Sequence, residues 1–237
     1  MDKADLNILV TGASRGIGKA IADQLRSHGC HVVGHASKEA EGLVGCDLNS
    51  ENAAAQLWAQ ALDRLNGRID ILINNAGVFE ANPISGEDWP ERWARTMQIN
   101  LTASAELCRL AVLHWQARSC GGRIVNIASR AANRGDSPDH WHYAASKGGM
   151  VAMTKTIARA YAAQGIYAFA ICPGFTMTGM ADDYLESRGG AKLLADIPLG
   201  RVAMPDEIAA IATFCAIDAP PSMTGAVLDA NGASYVR

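Results

Sequence analysis

An apolar strand, Leu6–Val10, runs directly into Thr11-Gly12-Ala13-Ser14-Arg15-Gly16-Ile17-Gly18, and a helix starts before that segment ends. Glycine reaches backbone angles closed to other residues and lets a ligand approach the main chain closely. The helix, Gly16–His28, repeats Ile17, Ile21 and Leu25 at helical spacing, so one face is apolar. Its unpaired N–H groups and the positive end of its dipole point back into the turn, where an anion is favoured. The spacing is G-x-x-x-G-x-G rather than G-x-G-x-x-G, and any tight strand-to-helix connection could use such glycines. Its place directly after the first strand points to a nucleotide phosphate site.

The rest of the chain repeats the alternation. Strands are expected at His31–Gly34, Gly42–Cys46, Ile69–Ile73, Arg123–Ile127, Ile166–Ile171 and Ala226–Asp229. Helices are expected at Ala53–Leu65, Tyr143–Ala163 and Pro205–Ile217, the last with proline at its start. Strands apolar on both faces and separated by helices predict an α/β fold: a single doubly wound, Rossmann-like parallel sheet with helices on both faces. Ligands then bind beyond the carboxyl ends of the strands. A length of 237 residues suits one domain, 1–237, with a substrate lid expected over 179–198. One irregularity is plain. Only Ala36–Glu41 joins the second and third strands, so a crossover helix there is a stub or absent.

Several function classes are disfavoured. A net charge of −3, with acids and bases scattered, offers no electrostatic footprint for nucleic acid or an anionic membrane. Apolar stretches break well before the roughly 20 residues of a bilayer span, and the N-terminus lacks a leader pattern. The six cysteines, Cys30, Cys46, Cys108, Cys120, Cys172 and Cys215, form no Cys-x-x-Cys pair. Free thiols in a reducing cytoplasm are expected, with neither metal site nor disulfides.

The chemistry centres on Tyr143-Ala144-Ala145-Ser146-Lys147. Four residues make about one helical turn, so Tyr143 and Lys147 share a face. An ammonium beside a phenol and a cationic nicotinamide in the cleft both favour the phenolate, which lowers the phenol pKa from near 10 and suits it to general acid–base work. Ser129, at the end of the strand Arg123–Ala128, places a hydroxyl donor beside the same cleft. Asp47, just past the third strand, can accept from an adenine amino group or simply cap a helix.

These residues stand in order with Asn74-Asn75-Ala76-Gly77, Asn100 and Pro173-Gly174. In that arrangement, from Leu6 to the C-terminus, the chain closely resembles the classical short-chain dehydrogenase/reductase family, nearest its 3-oxoacyl-acyl-carrier-protein reductase members. The resemblance implies a ketone/alcohol oxidoreductase that moves hydride to or from nicotinamide C4 without metal. It implies that Gly12, Ser14, Arg15, Gly16, Ile17 and Gly18 hold the pyrophosphate and adenosine. Asp47 and Leu48 would meet the adenine, and Asn74, Ala76 and Gly77 the adenosine ribose. Asn100 would hold a water in a proton relay with Ser129, Tyr143 and Lys147, and Lys147 would bond the nicotinamide ribose. Pro173, Gly174, Thr176 and Thr178 would cover the nicotinamide. After the second strand no acid precedes Glu39, whereas Ser37, Lys38 and Arg15 could hold a 2′-phosphate. NADP is therefore expected ahead of NAD.

The chain also departs from the family. Tyr167-Ala168-Phe169-Ala170 stands where a Val-Asn pair is usual, and Thr176 where a branched apolar residue is common. Where carrier-protein reductases place basic docking residues, this chain has Cys120 and Gln164, with Arg118 and Arg159 nearby. Substrate contacts are expected from Ser129, Arg130, Trp141, His142 and Tyr143, and from Met180 and Tyr184 in the lid. Pairing of the helices Asn100–Arg118 and Tyr143–Ala163 with a second copy implies a homodimer or homotetramer. A regulator that senses nucleotide without turnover is the competing class. Such proteins typically lose the tyrosine or the lysine, and both are present here.

Overall fold

Ile8, Leu9 and Val10 are all completely buried, although consecutive strand residues point to opposite faces. Both faces of the sheet must therefore be covered. The computed structural model describes residues 5–178 and 190–237. Seven strands pair in the order β3-β2-β1-β4-β5-β6-β7, and every pairing is parallel. They are β1 (Asn7–Val10), β2 (His31–Ala36), β3 (Leu43–Gly45), β4 (Ile71–Asn74), β5 (Gly122–Ile127), β6 (Ile166–Pro173) and β7 (Val227–Ala230). The helices are α1 (Gly16–Ser27), α2 (Ala53–Arg64), α3 (Trp89–Met97), α4 (Ala103–Ala117), α5 (Ala131–Arg134), α6 (Trp141–Tyr161), α7 (Gly190–Ala195) and α8 (Pro205–Thr213). The order reverses direction between β1 and β4, and the ligand crevice opens at that point.

Two apolar layers sandwich the sheet. On one face Leu9, Val33, Leu72 and Ile124 pack with Leu57 and Trp58 of α2 and Leu107 and Trp115 of α4. On the other, Ile8, Val10, Ile73 and Val125 pack with Ile21 and Leu25 of α1 and Ile208 and Ala212 of α8. Alternate residues of one strand thus serve different layers, as a doubly wound sheet requires. Among the described residues no helix is long and apolar enough to cross a membrane.

The link between β2 and β3 contains no helix. Parallel neighbours ordinarily need a crossover of a dozen or more residues. Here β3 pairs only with the carboxyl end of β2, Leu43 opposite Gly34 and Gly45 opposite Ala36. The chain need back up only a short way, so residues 37–42 suffice. They fold onto Gly45, where a Cβ would lie 2.4 Å from the Glu39 nitrogen.

Some element ends move from their expected places. α6 begins at Trp141 rather than Tyr143. β4 begins at Ile71, because the Ile69 carbonyl accepts from Trp115 Nε1 (2.7 Å) rather than joining the ladder. The helix expected over Pro205–Ile217 loosens to a π-turn at Phe214–Asp218. Of the expected lid, 179–189, with Met180 and Tyr184, lies outside the described residues, and α7 follows it.

Gly122 sits where β5 passes under Trp115, and a Cβ there would lie 2.1 Å from the buried ring. Gly122→Ala should cost roughly 3 kcal/mol through overpacking. For a chain of this length, calorimetry should show a Tm lower by about 5–10 °C.

Candidate active site

The turn after β1 is built by contacts that leave no room for side chains. Gly12 has φ +65° and Gly16 φ +55°, in the left-handed region that favours glycine. A Cβ on Gly18 would lie 2.1 Å from the Gly12 carbonyl oxygen, so only glycine lets α1 start this close to β1. Asn75 Nδ2 donates to the carbonyls of Thr11 and Gly12, each at 3.0 Å. Thr11 Oγ1 accepts from the Asn75 and Ala76 N–H groups, each at 2.9 Å. α1 opens at Arg15 without a side-chain cap, so its first N–H groups remain available to an anion. Ser14 and Arg15 are exposed, while Ile17 is half-buried. This shape fits a dinucleotide pyrophosphate: a cradle closed to Cβ atoms, with uncapped amides at its floor.

The catalytic candidates meet at the carboxyl ends of β4 and β5. Ser129 follows β5, and its Oγ accepts from the Ala131 N–H at 3.1 Å. The Ser129 hydroxyl stands near enough to the Tyr143 phenol to favour its ionisation. Lys147 is buried, and its Nζ donates to the Ile127 carbonyl at 2.8 Å. That Nζ lies 5.9 Å from the Tyr143 ring centroid. Asn100 occupies a π-turn, Gln98–Thr102, between α3 and α4; such turns recur at functional sites. Its Oδ1 accepts from the Val78 N–H (2.8 Å), and its Nδ2 donates to the Val78 carbonyl (3.0 Å) and to Ser146 Oγ (3.3 Å). A Cβ on Gly77 would come within 3.3 Å of Asn100 Oδ1 and 3.5 Å of Lys147 Nζ. A side chain at Gly77 would press on Asn100 Oδ1 and touch Lys147 Nζ.

Burial sets the ionisation of this cluster. Desolvation pushes the Tyr143 phenol up to about 12, against the Ser129 hydroxyl, which pulls it down. The expectation that Lys147 draws the phenol below 10 is therefore not met in the protein alone, because desolvation outweighs the ammonium. Desolvation also brings the Lys147 ammonium down to about 8. At neutral pH the pair holds a phenolic proton beside a cation that releases its own proton easily.

The remaining expected residues occupy varied positions. Asn74 is fully buried, with its Nδ2 donating to Asn126 Oδ1 (2.9 Å), so it ties β4 to β5 within the sheet. Asp47 is exposed, and its Oδ1 accepts from the Asn49 N–H (3.0 Å) in a turn; the helix cap is Asn52 instead. Leu48 is buried in the core. Ser37 and Lys38 are exposed on the link after β2. Pro173 ends β6, and the Gly174 N–H bonds the Ala230 carbonyl. Thr176 is buried, its Oγ1 donating to the Gly174 carbonyl (3.2 Å). Thr178 reaches the turn, with its Cγ2 3.0 Å from where a Gly16 Cβ would stand.

On the substrate side, the Arg130 guanidinium lies over the Phe175 ring and 3.5 Å from Asp196. Trp141 is exposed, whereas His142 is buried. Two further rings gather beside Tyr143. Phe79 packs edge-on to Tyr143 (4.8 Å) and stacks on His140 (4.0 Å), whose Nδ1 lies 2.6 Å from Ser137 Oγ. Phe79 follows Gly77 by two residues, and that proximity was the one local signal for it.

Residues 12–232 match the family described as Enoyl-(Acyl carrier protein) reductase. The chain is 35% identical to the 3-oxoacyl-[acyl-carrier-protein] reductase of Vibrio cholerae, over 96% of each chain. The chain belongs to the short-chain dehydrogenase/reductase family. It is 33% identical to the Escherichia coli enzyme of the same name, again over 96% of both. Among solved structures it resembles an Agrobacterium tumefaciens protein provisionally described as a 2-deoxy-D-gluconate 3-dehydrogenase and solved with NADP. That match has TM-score 0.88 and 30% identity, covering 98% of this chain and 97% of the other. A provisional gluconate dehydrogenase from the same organism matches with TM-score 0.88 and 28% identity, over the same shares. This short-chain dehydrogenase/reductase is an NAD(P)-dependent oxidoreductase acting on keto and alcohol groups.

A buried ammonium should be costly to the fold. With Lys147 brought from 10.5 to about 8, the unfolded chain holds the extra proton between those values, so stability rises with pH across that window. Lys147→Met should unfold about 2 kcal/mol less readily than wild type at pH 7, with the gap narrowing between pH 8 and 10.5. Denaturant titrations of both proteins across that range measure it, and turnover should be lost in the variant.

Proposed function

We propose that this enzyme reduces a ketone to a secondary alcohol with NADPH, with Tyr143 delivering the proton. The observation that carries this reading is the gathering of Tyr143, a buried Lys147 5.9 Å from its ring, and Ser129 at the carboxyl ends of β4 and β5 beside the glycine turn. Bound there, the reduced nicotinamide supplies hydride to the carbonyl carbon. Ser129 holds the carbonyl oxygen by its hydroxyl, and negative charge develops within reach of that donor. Tyr143, protonated at neutral pH, transfers its phenolic proton to the same oxygen. Lys147 stabilises the phenolate that remains, and Asn100 holds the Val78 segment and Ser146 in place around it. Gly12, Ser14, Arg15, Gly16, Ile17 and Gly18 bind the pyrophosphate side. Asp47 and Leu48 flank the adenine, while Pro173, Gly174, Thr176 and Thr178 cover the nicotinamide. Phe79 and His140 line the mouth with flat apolar surface.

The preference for NADP rests on Arg15, Ser37 and Lys38, all exposed at the adenosine end with no acid before Glu39. The NADP-bound relative from A. tumefaciens agrees with it. A small ketone or hydroxy acid is favoured over a carrier-bound substrate. Cys120 and Gln164, the latter bonded to Gln116, stand where carrier-protein reductases are expected to be basic, with Arg118 and Arg159 nearby. The similarity to 3-oxoacyl-[acyl-carrier-protein] reductases supports the second reading, a 3-oxoacyl thioester. The enzyme works as a homodimer or homotetramer in the cytoplasm. Buried thiols at Cys46, Cys108, Cys172 and Cys215, outside any disulfide, suit a reducing compartment.

Tyr143→Phe should lower kcat by about 10²–10⁴ while leaving NADPH affinity within roughly threefold. Stopped-flow turnover and fluorescence titration separate the two, and full activity in the variant would sink the assignment. Arg15→Ala combined with Lys38→Ala should weaken NADPH by about 10–100-fold and NADH by less than about threefold. Direct binding of both nucleotides measures this. A screen of keto acids, sugars and 3-oxoacyl thioesters decides between the two substrate classes.

A further inference from the structure

His35, near the end of β2, is 2% exposed and lies outside the Tyr143 cluster. Its Nδ1 accepts from the Gly12 N–H at 3.2 Å. Its Nε2 lies 2.7 Å from the Cys46 carbonyl, and its own carbonyl accepts from the Ala13 N–H at 2.7 Å. One side chain thus joins the turn after β1 to the end of β3, one residue before Asp47. The two contacts select a single tautomer. A carbonyl can only accept, so Nε2 carries the proton; an N–H can only donate, so Nδ1 carries the lone pair. The neutral imidazole satisfies both. The imidazolium cannot, because its second N–H would face the Gly12 N–H.

The rest of Gly12 is equally constrained. Asn75 holds its carbonyl, and Ala76 leaves no room for a Cβ, which would stand 2.8 Å from Ala76 Cα. His35 is the group that holds the amide. We propose that His35 is a positioning residue for the dinucleotide: neutral, it braces the phosphate-binding turn against the end of β3, and protonation at Nδ1 releases Gly12 and weakens nucleotide binding. This rests on the nucleotide reading of the glycine turn.

The surroundings decide the direction of the pH effect. Burial lowers the imidazole from 6.5, opposed by the Cys46 carbonyl bond and the Asp47 carboxylate. Cys46, whose thiol burial raises, stays neutral. The turn side, Gly12 and Ala13, has no ionisable side chain, and α2 contributes Ala53, Ala54 and Leu57 to the layer over this face of the sheet. Asp47 is therefore the charge that faces His35. With the value lowered, His35 is already neutral at pH 6.5, and the brace fails only as pH falls further, through that lowered value.

The test compares wild type, His35→Asn and His35→Leu between pH 5.5 and 8. NADPH and NADH affinities are measured by titration, and NADH provides the probe without a 2′-phosphate that titrates itself. Wild-type affinity for both should fall towards the acid end, by less than the roughly tenfold that an unshifted imidazole would give at pH 5.5. The asparagine Oδ1 can still accept from Gly12 but does not titrate, so His35→Asn should bind well at pH 8 and lose most of the acid fall. His35→Leu should bind about tenfold more weakly at every pH. In the nucleotide-free wild type, the His35 imidazole and Gly12 amide resonances should titrate with one midpoint. Gly12 amide exchange should quicken below it. An acid fall as steep in His35→Asn as in wild type, or different midpoints for the two resonances, overturns the positioning role alone. Absence of binding of either nucleotide by wild type at pH 8 overturns the nucleotide reading itself.

Discussion

The contact between Gly18 and the Gly12 carbonyl places the start of the first helix against the end of the first strand, with no side chain between them. Much else in the molecule follows from that approach. It points the uncapped amides of α1 across the carboxyl edge of the sheet, where β1 and β4 diverge. It also makes the turn dependent on neighbours that are remote in the chain. Asn75 holds its carbonyls, Thr11 returns the favour to Asn75 and Ala76, and His35 holds the Gly12 amide. Asn75 follows β4 directly, and two residues on stands Gly77, beside which Asn100 and Lys147 lie. The phosphate end and the proton-transfer end of the cleft are therefore two ends of one braced edge.

Desolvation controls the chemistry at the second end. Tyr143 and Lys147 share a helical face, but sharing a face says little about charge. Lys147 is buried and Tyr143 partly so; the desolvation of each raises the phenol to about 12 and brings the ammonium down to about 8. A site in this condition stores a proton on the tyrosine until a developing oxyanion draws it away. A positive charge on bound oxidised nicotinamide would favour the phenolate instead, as alcohol oxidation requires. The same pair thus suits both directions, with the charge of the bound nucleotide setting the balance.

Legibility from sequence differed from residue to residue for physical reasons. Gly12, Gly16 and Gly18 were readable because backbone conformation is local and few residues can adopt it. Tyr143 and Lys147 were readable as a pair because helical periodicity brings them together over one turn. The short link after β2 announced its own lack of a crossover helix. Phe79 and His140 were not singled out, since their stacking depends on how two loops meet across the cleft. Asp47 offered a carboxylate in a suitable place, but the turn it forms with Asn49 could not be told from a helix cap by residue type alone.

The sequence by itself determined the alternation of buried strands and helices, the glycine turn and the Tyr143–Lys147 face. Each of these follows from steric limits or periodicities that act over a few residues. Only the tertiary structure decided which side chains brace the turn, as Asn75 and His35 do from far along the chain. It also decided the protonation of Tyr143, Lys147 and His35. Those outcomes depend on exclusion of water and on partners brought in by other elements, and no short stretch of sequence carries that information.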